Sequence, residues 1–193
     1  MPRESLNGDT PAIPDVVISA TRADYFEVIT RAVFQAGVSW AQIARHWNAY
    51  RRAFREFDPE QVAAFNELDV ARVLAEPGIL RMPRKITATV ANARALLDIE
   101  REFSSMDAYI ASFADYTRLV KAFKKRFSFM GDMNVWYVLF RTHHTVPRFE
   151  TWVTTIPGDH PRMREMVDRA RATGRSAEVA AGTDPAEESE SAG

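Results

Sequence analysis

Leu119 to Tyr137 reads LVKAFKKRFSFMGDMNVWY, and this stretch decides the fold. Leu119, Val120, Phe123 and Phe127 recur at helical spacing and form one apolar stripe. Lys121, Lys124, Lys125 and Arg126 fall within two turns and oppose that stripe. Ser128, Phe129, Met130 and Gly131 break the helix, and VWYVLF resumes it as a buried one. A cationic helix end, a short apolar turn, a glycine and a second helix have the form of a helix-hairpin-helix. In that form glycine lets backbone approach a phosphate, and free N–H groups at the next helix start can bind it. The plain alternative is a solvated helix face.

Working outward, nearly every segment has helical period. Thr21 with Asp24 marks a capped start before YFEVITRAVFQA, and Gly37 suits the left-handed position that ends a helix. Ser39 and Gln42 are spaced as a capping box, predicting a second helix through Phe57. Asp58-Pro59 places an N-cap before a proline at the first helical position. Pro77-Gly78 breaks the chain. Ile86, Val90, Ala93 and Leu97 then form the stripe of a long helix, and Pro161 starts a last one to about Ala172. The expected architecture is all-α, about eight short helices.

The chain has 193 residues, 46% hydrophobic, enough for one domain with a real core. It has no cysteine, which excludes disulfides and thiolate metal sites and fits a reducing cytoplasmic setting. No apolar run approaches a membrane span, and the first 15 residues lack the apolar core of a signal peptide. Residues 1–20 read as a surface arm, 21–174 as the helical domain and 175–193 as a disordered acidic tail. The arm carries a net −2 and the tail −4, leaving +5 on the body. That mild basicity permits a polyanion partner. No GxSxG, Walker or GxGxxG motif is present, and the adjacent His143 and His144 cannot chelate one metal as an i, i+4 pair would. No metal or other cofactor is expected. A second basic group, Arg81, Arg84 and Lys85, stands at another turn into a helix.

Taken together, YFEVITRAVFQAGVSW, FDPEQVAAF, LAEPGILRMPRKITATVANARALL and LVKAFKKRFSFMGDMNVWY resemble, in order and spacing, the 3-methyladenine DNA glycosylase I family. The resemblance runs from about Tyr25 to Phe140. It implies a helix-hairpin-helix glycosylase-like bundle acting on damaged bases in duplex DNA, as a monomer without a membrane. It implies that Gly131 and the neighbouring backbone of Ser128 and Phe129 hold a DNA phosphate; the basic residues Arg81, Arg84, Lys85, Lys124 and Lys125, each at a turn into a helix, are the expected charge beside it. It implies that Trp40 lines the pocket for the flipped base, where Tyr25 and Phe34 could add aromatic surface and Gln35 could hydrogen-bond a base edge. By the resemblance, the family's pocket glutamate falls at Ala32 or within the stretch Arg31-Ala32-Val33, and its zinc site uses cysteines and histidines, of which this chain has no cysteine. Where the family has an Asp-His pair, this chain reads Val146-Pro147-Arg148.

The carboxylates left as candidates for catalysis are Glu27, in the helix before the FQAGVSW joint, and Glu150, about 19 residues beyond Gly131. Asp132 follows the hairpin glycine and is expected to cap the next helix. No lysine stands out as a Schiff-base nucleophile, so excision without strand cleavage is the expected chemistry. The alternatives are a catalytically inactive DNA- or lesion-binding protein of the same fold, and an unrelated helical binding domain.

Overall fold

The computed structural model describes residues 15–179. Among them lie ten helices: α1 (Arg22–Gln35), α2 (Trp40–Ala53), α3 (Pro59–Ala63), α4 (Glu67–Ala75), α5 (Pro83–Phe103), α6 (Met106–Ala111), α7 (Tyr116–Arg126), α8 (Asp132–Arg141), α9 (Phe149–Trp152) and α10 (Pro161–Ala172). The all-α expectation holds, and the count exceeds eight because α3, α6 and α9 are single short turns. The exception is a two-residue parallel pairing of β1 (Val146–Pro147) with β2 (Glu178–Val179).

The long helix α5 is the hub, packed against α1, α3, α4 and α6, while α8 lies against α1 and α7. α1 is submerged: Phe26, Val28, Ile29, Val33 and Phe34 are all fully buried. Its start follows the sequence, since Thr21 and Asp24 form the reciprocal capping box. Asp58 likewise accepts from the N–H groups of Glu60 and Gln61.

Two local expectations are corrected. Ser39 makes no side-chain capping bond, so α2 starts without the capping box its spacing suggested. α2 also ends at Ala53 rather than Phe57. Arg55, Glu56 and Phe57 follow with φ of 53°, 53° and 58°, a left-handed turn. That turn drives Phe57 into the core, where it stacks on Trp47 and Phe54.

Of the expected arm, residues 1–14 lie outside the described residues. Asp15 pairs with Arg169 at 2.6 Å, Val16 is buried, and Val17 donates to the Arg141 carbonyl at 2.7 Å. Of the expected tail, residues 180–193 lie outside the described residues, and residues 175–179 include the paired strand β2. Among the described residues no helix is long and apolar enough to cross a membrane.

Candidate active site

A cavity of about 270 Å³ opens where the end of α1, the start of α2, the first turns of α8 and the start of α10 converge. Ala32, Gln35, Ala36, Gly37 and Trp40 form one wall, Met133, Asn134 and Tyr137 a second, and His160 and Met163 a third. Gly37 has φ of +71°, the left-handed geometry that turns the chain sharply between α1 and α2. That turn places Trp40 at the mouth of the joint. Its ring lies edge-to-face on Tyr137, centroids 5.5 Å apart at 77°. The Tyr137 hydroxyl accepts from the Arg141 guanidinium at 2.5 Å, which fixes the second aromatic wall.

Gln35 stands on the wall with its Oε1 buried and without a hydrogen-bond partner. Ala32, in the stretch where the resemblance expects the family's pocket glutamate, lines the same wall. No carboxylate lines the cavity among the described residues.

The other pocket candidates are elsewhere. Phe34 is fully buried and packs edge-on against Tyr50 at 4.7 Å. Tyr25, near the opposite end of α1, donates to Asp107 at 2.7 Å and meets His144 Nε2 at 2.5 Å. Burial and the Asp107 carboxylate push its phenol well above the usual range. Neither lines the cavity.

Both candidate acids are tied up in ion pairs. Glu27 is 4% exposed and accepts from Trp47 Nε1 at 2.7 Å and Arg51 at 2.6 Å. The Arg31 guanidinium lies 4.4 Å over the Trp47 ring, and burial lowers its pKa to about 10. Glu27 is thus the centre of a buried polar cluster and does not face solvent. Glu150 is held by Arg171 in a fork at 2.7 and 2.9 Å and by Arg148 at 3.2 Å. Those hydrogen bonds lower its pKa to about 2, making it a weak base.

The hairpin between α7 and α8 is held from inside. Asn92, buried in α5, accepts from the Ser128 N–H at 2.7 Å and donates to the Ser128 carbonyl at 3.1 Å. Asn134 donates to the Phe129 carbonyl at 2.7 Å, and Phe129, with φ of 58°, projects 40% exposed. Gly131 opens α8, and a Cβ built there meets nothing within 4 Å. Nothing in the protein therefore needs a glycine at this place, so the room faces outward.

Around it the cations divide. Lys121, Lys125, Arg81 and Arg84 are exposed and form no ion pair among the described residues. Lys124 pairs with Asp132 at 2.8 Å, which holds the Asp132 carboxyl below its usual range. Asp132 is the first residue of α8, and this ion pair takes the place of the expected capping role. Arg126 is bound by Glu102. Lys85 is 9% exposed, and its Nζ caps the end of α1 through the carbonyls of Ala36 at 2.5 Å and Phe34 at 3.3 Å. It is a strut behind the cavity wall and cannot reach a DNA backbone from there.

Sequence reasoning missed Met133, Asn134, His160 and Met163. Only the three-residue offset of Asn134 from Gly131, one helical turn, hinted that it faces the hairpin.

The bundle superposes on solved structures of 3-methyladenine DNA glycosylase I. A crystal structure of 3-methyladenine DNA glycosylase I superposes with a TM-score of 0.57 at 32% identity, over 65% of this chain and 80% of that one. A Staphylococcus aureus 3-methyladenine DNA glycosylase I superposes with a TM-score of 0.56 at 25% identity, over 68% and 77%.

The family described as methyladenine glycosylase matches residues 17–134, and the chain belongs to that family. DNA-3-methyladenine glycosylase 1 of Escherichia coli (strain K12) is 38% identical over 91 residues, 47% of this chain and 49% of that protein. The DNA-3-methyladenine glycosylase of Haemophilus influenzae is 34% identical over 95 residues, 49% and 51% of the two chains. The chain thus spans about half the length of the curated relatives it matches.

Proposed function

We propose that this chain is a monofunctional DNA glycosylase, a cytoplasmic enzyme that excises 3-methyladenine-like alkylated purines from duplex DNA in base-excision repair. The observation that carries the reading is the cavity between Trp40 and Tyr137, opening beside a clamped hairpin in a chain of this family. Gly131 and the N–H groups of the first turn of α8 would take a phosphate, with Lys121, Lys125, Arg81 and Arg84 supplying outer charge. The damaged nucleotide leaves the stack, at a cost of a few kcal/mol, and its base enters the cavity.

The absence of a lining carboxylate suits one kind of leaving group. A purine alkylated at N3 or N7 carries a positive charge while attached to the sugar. When the C1′–N9 bond breaks, the bonding pair neutralises that charge and the base departs without needing a proton. Water then adds its oxygen to C1′ and releases a proton. The protein's part is to stack the cationic base on Trp40 and exclude competitors.

The test is incubation with methylated duplex DNA and chromatography of the released bases. Release of 3-methyladenine or 7-methylguanine, lost in Trp40→Ala, is expected. No release would reject the enzymatic reading.

A second reading, a lesion-binding protein without catalysis, is favoured by the engagement of Glu27 and Glu150 in ion pairs outside the cavity. It requires salt-dependent duplex binding with no abasic product.

A further inference from the structure

The tip of the hairpin holds an aromatic residue against its own preferences. Phe129 has φ of 58°, the left-handed region that a bulky side chain rarely adopts, and its apolar side chain is 40% exposed. Neither local propensity nor burial accounts for that placement. Its neighbours enforce it. Asn92 bonds both backbone groups of Ser128 just before it, and Met130 just after it is buried in the core. Asn134 donates to the Phe129 carbonyl at 2.7 Å. Backbone strain that surrounding residues over-determine is characteristic of a side chain presented for contact.

The Asn134 bond also sets where Phe129 stands. It ties the residue to the first turn of α8, whose N–H groups would take a phosphate. Gly131 is two residues on, within about 7 Å of chain. Lys121 and Lys125, exposed and without an ion pair among the described residues, draw a polyanion to the helix that leads into this tip. A phosphate seated on α8 brings the sugar bonded to it within reach of the Phe129 ring, while the base edges lie deeper.

Resting on the reading of this hairpin as a duplex-binding element, we propose that Phe129 is a specificity-determining residue for the sugar: its ring packs on the C2′ side of a deoxyribose beside the bound phosphate and so selects DNA over RNA. A deoxyribose offers only C–H groups there. A ribose would press its 2′-hydroxyl against the ring, where the hydroxyl has no hydrogen-bond partner.

Fluorescence anisotropy of the full chain on a short DNA duplex carrying one tetrahydrofuran abasic analogue tests this. Single ribonucleotides are placed in turn at each position around the analogue. At one or two positions the wild type should lose roughly three- to tenfold in affinity, and Phe129→Gly should show no such penalty. On the all-deoxy duplex Phe129→Gly should bind roughly three- to tenfold more weakly than wild type. Its melting temperature should nevertheless stay equal or rise, because glycine accepts this φ without strain. Phe129→Leu, which keeps an apolar surface, should retain most of the affinity and the ribose penalty.

A wild type indifferent to every ribonucleotide, or a penalty that persists in Phe129→Gly, would overturn the role of Phe129 and leave the duplex-binding reading standing. A wild type that does not bind the duplex, or binds it without salt dependence, would overturn both.

Discussion

The ammonium of Lys85 lies 2.5 Å from the carbonyl oxygen of Ala36, 49 residues earlier in the chain. One cation on α5 thereby closes the open carbonyl end of α1, next to the glycine that begins the cavity wall. Lys85→Met keeps the stem and removes the donor, leaving buried carbonyls unpaired. We expect a loss of about 1–3 kcal/mol in urea unfolding. The variant should also bind free 3-methyladenine more weakly, although Lys85 touches neither base nor DNA.

Asn92 grips Ser128 through both its amide oxygen and its amide nitrogen, fixing the hairpin onto α5. Asn92→Ala abandons both groups of the Ser128 backbone and should cost about 2–3 kcal/mol. Duplex affinity should fall by more than the lost stability explains, measured by fluorescence anisotropy well below the melting temperature. Gly131→Ala offers the contrast, with stability changed by less than about 1 kcal/mol and duplex affinity reduced.

Asp132 neutralises Lys124 at 2.8 Å. Asp132→Asn should release that cation, tighten duplex binding and steepen the salt dependence by about one unit of slope in log K against log salt. Charge reversal at Lys125, which has no ion-pair partner among the described residues, should weaken binding more than reversal at Lys124.

Glu150 titrates at about 2 in the folded protein because the Arg171 fork favours its charged form. Its folded pKa lies below the usual carboxylate value near 4.3, so the ion pair stabilises fully above that pH. The contribution disappears as pH falls toward 2. Glu150 is partly exposed, so solvent screening limits its worth to about 1 kcal/mol or less. Glu150→Gln should flatten this part of the acid-unfolding curve and leave excision of 3-methyladenine at pH 7 unchanged.

The helices were legible because their signals are local. Thr21 with Asp24, Asp58 with Pro59, and Gly37 each act within four residues. The turn at Arg55–Phe57 was not legible, because the burial of Phe57 against Trp47 overrides a pattern that reads as continuous helix. One wall of the cavity, with Gln35 and Trp40, was visible from the FQAGVSW joint. Lys85 misled because a basic residue at a helix start reads the same whether it faces solvent or another helix's carbonyls. His160 left no trace, since its place depends on the return of the Pro157–Gly158 loop onto the bundle. Glu27 and Glu150 drew attention as acids, but the fold brings arginines distant in sequence to occupy them.

The cavity takes its walls from two stretches with different duties. The joint at Gly37 and the hairpin at Gly131 belong to the segment that carries the family pattern, and α10 does not. On the proposed function, exchanging residues 157–163 should change what the chamber admits while leaving duplex binding intact. If the chamber receives a base, its selectivity could then be altered at one loop without rebuilding the hairpin.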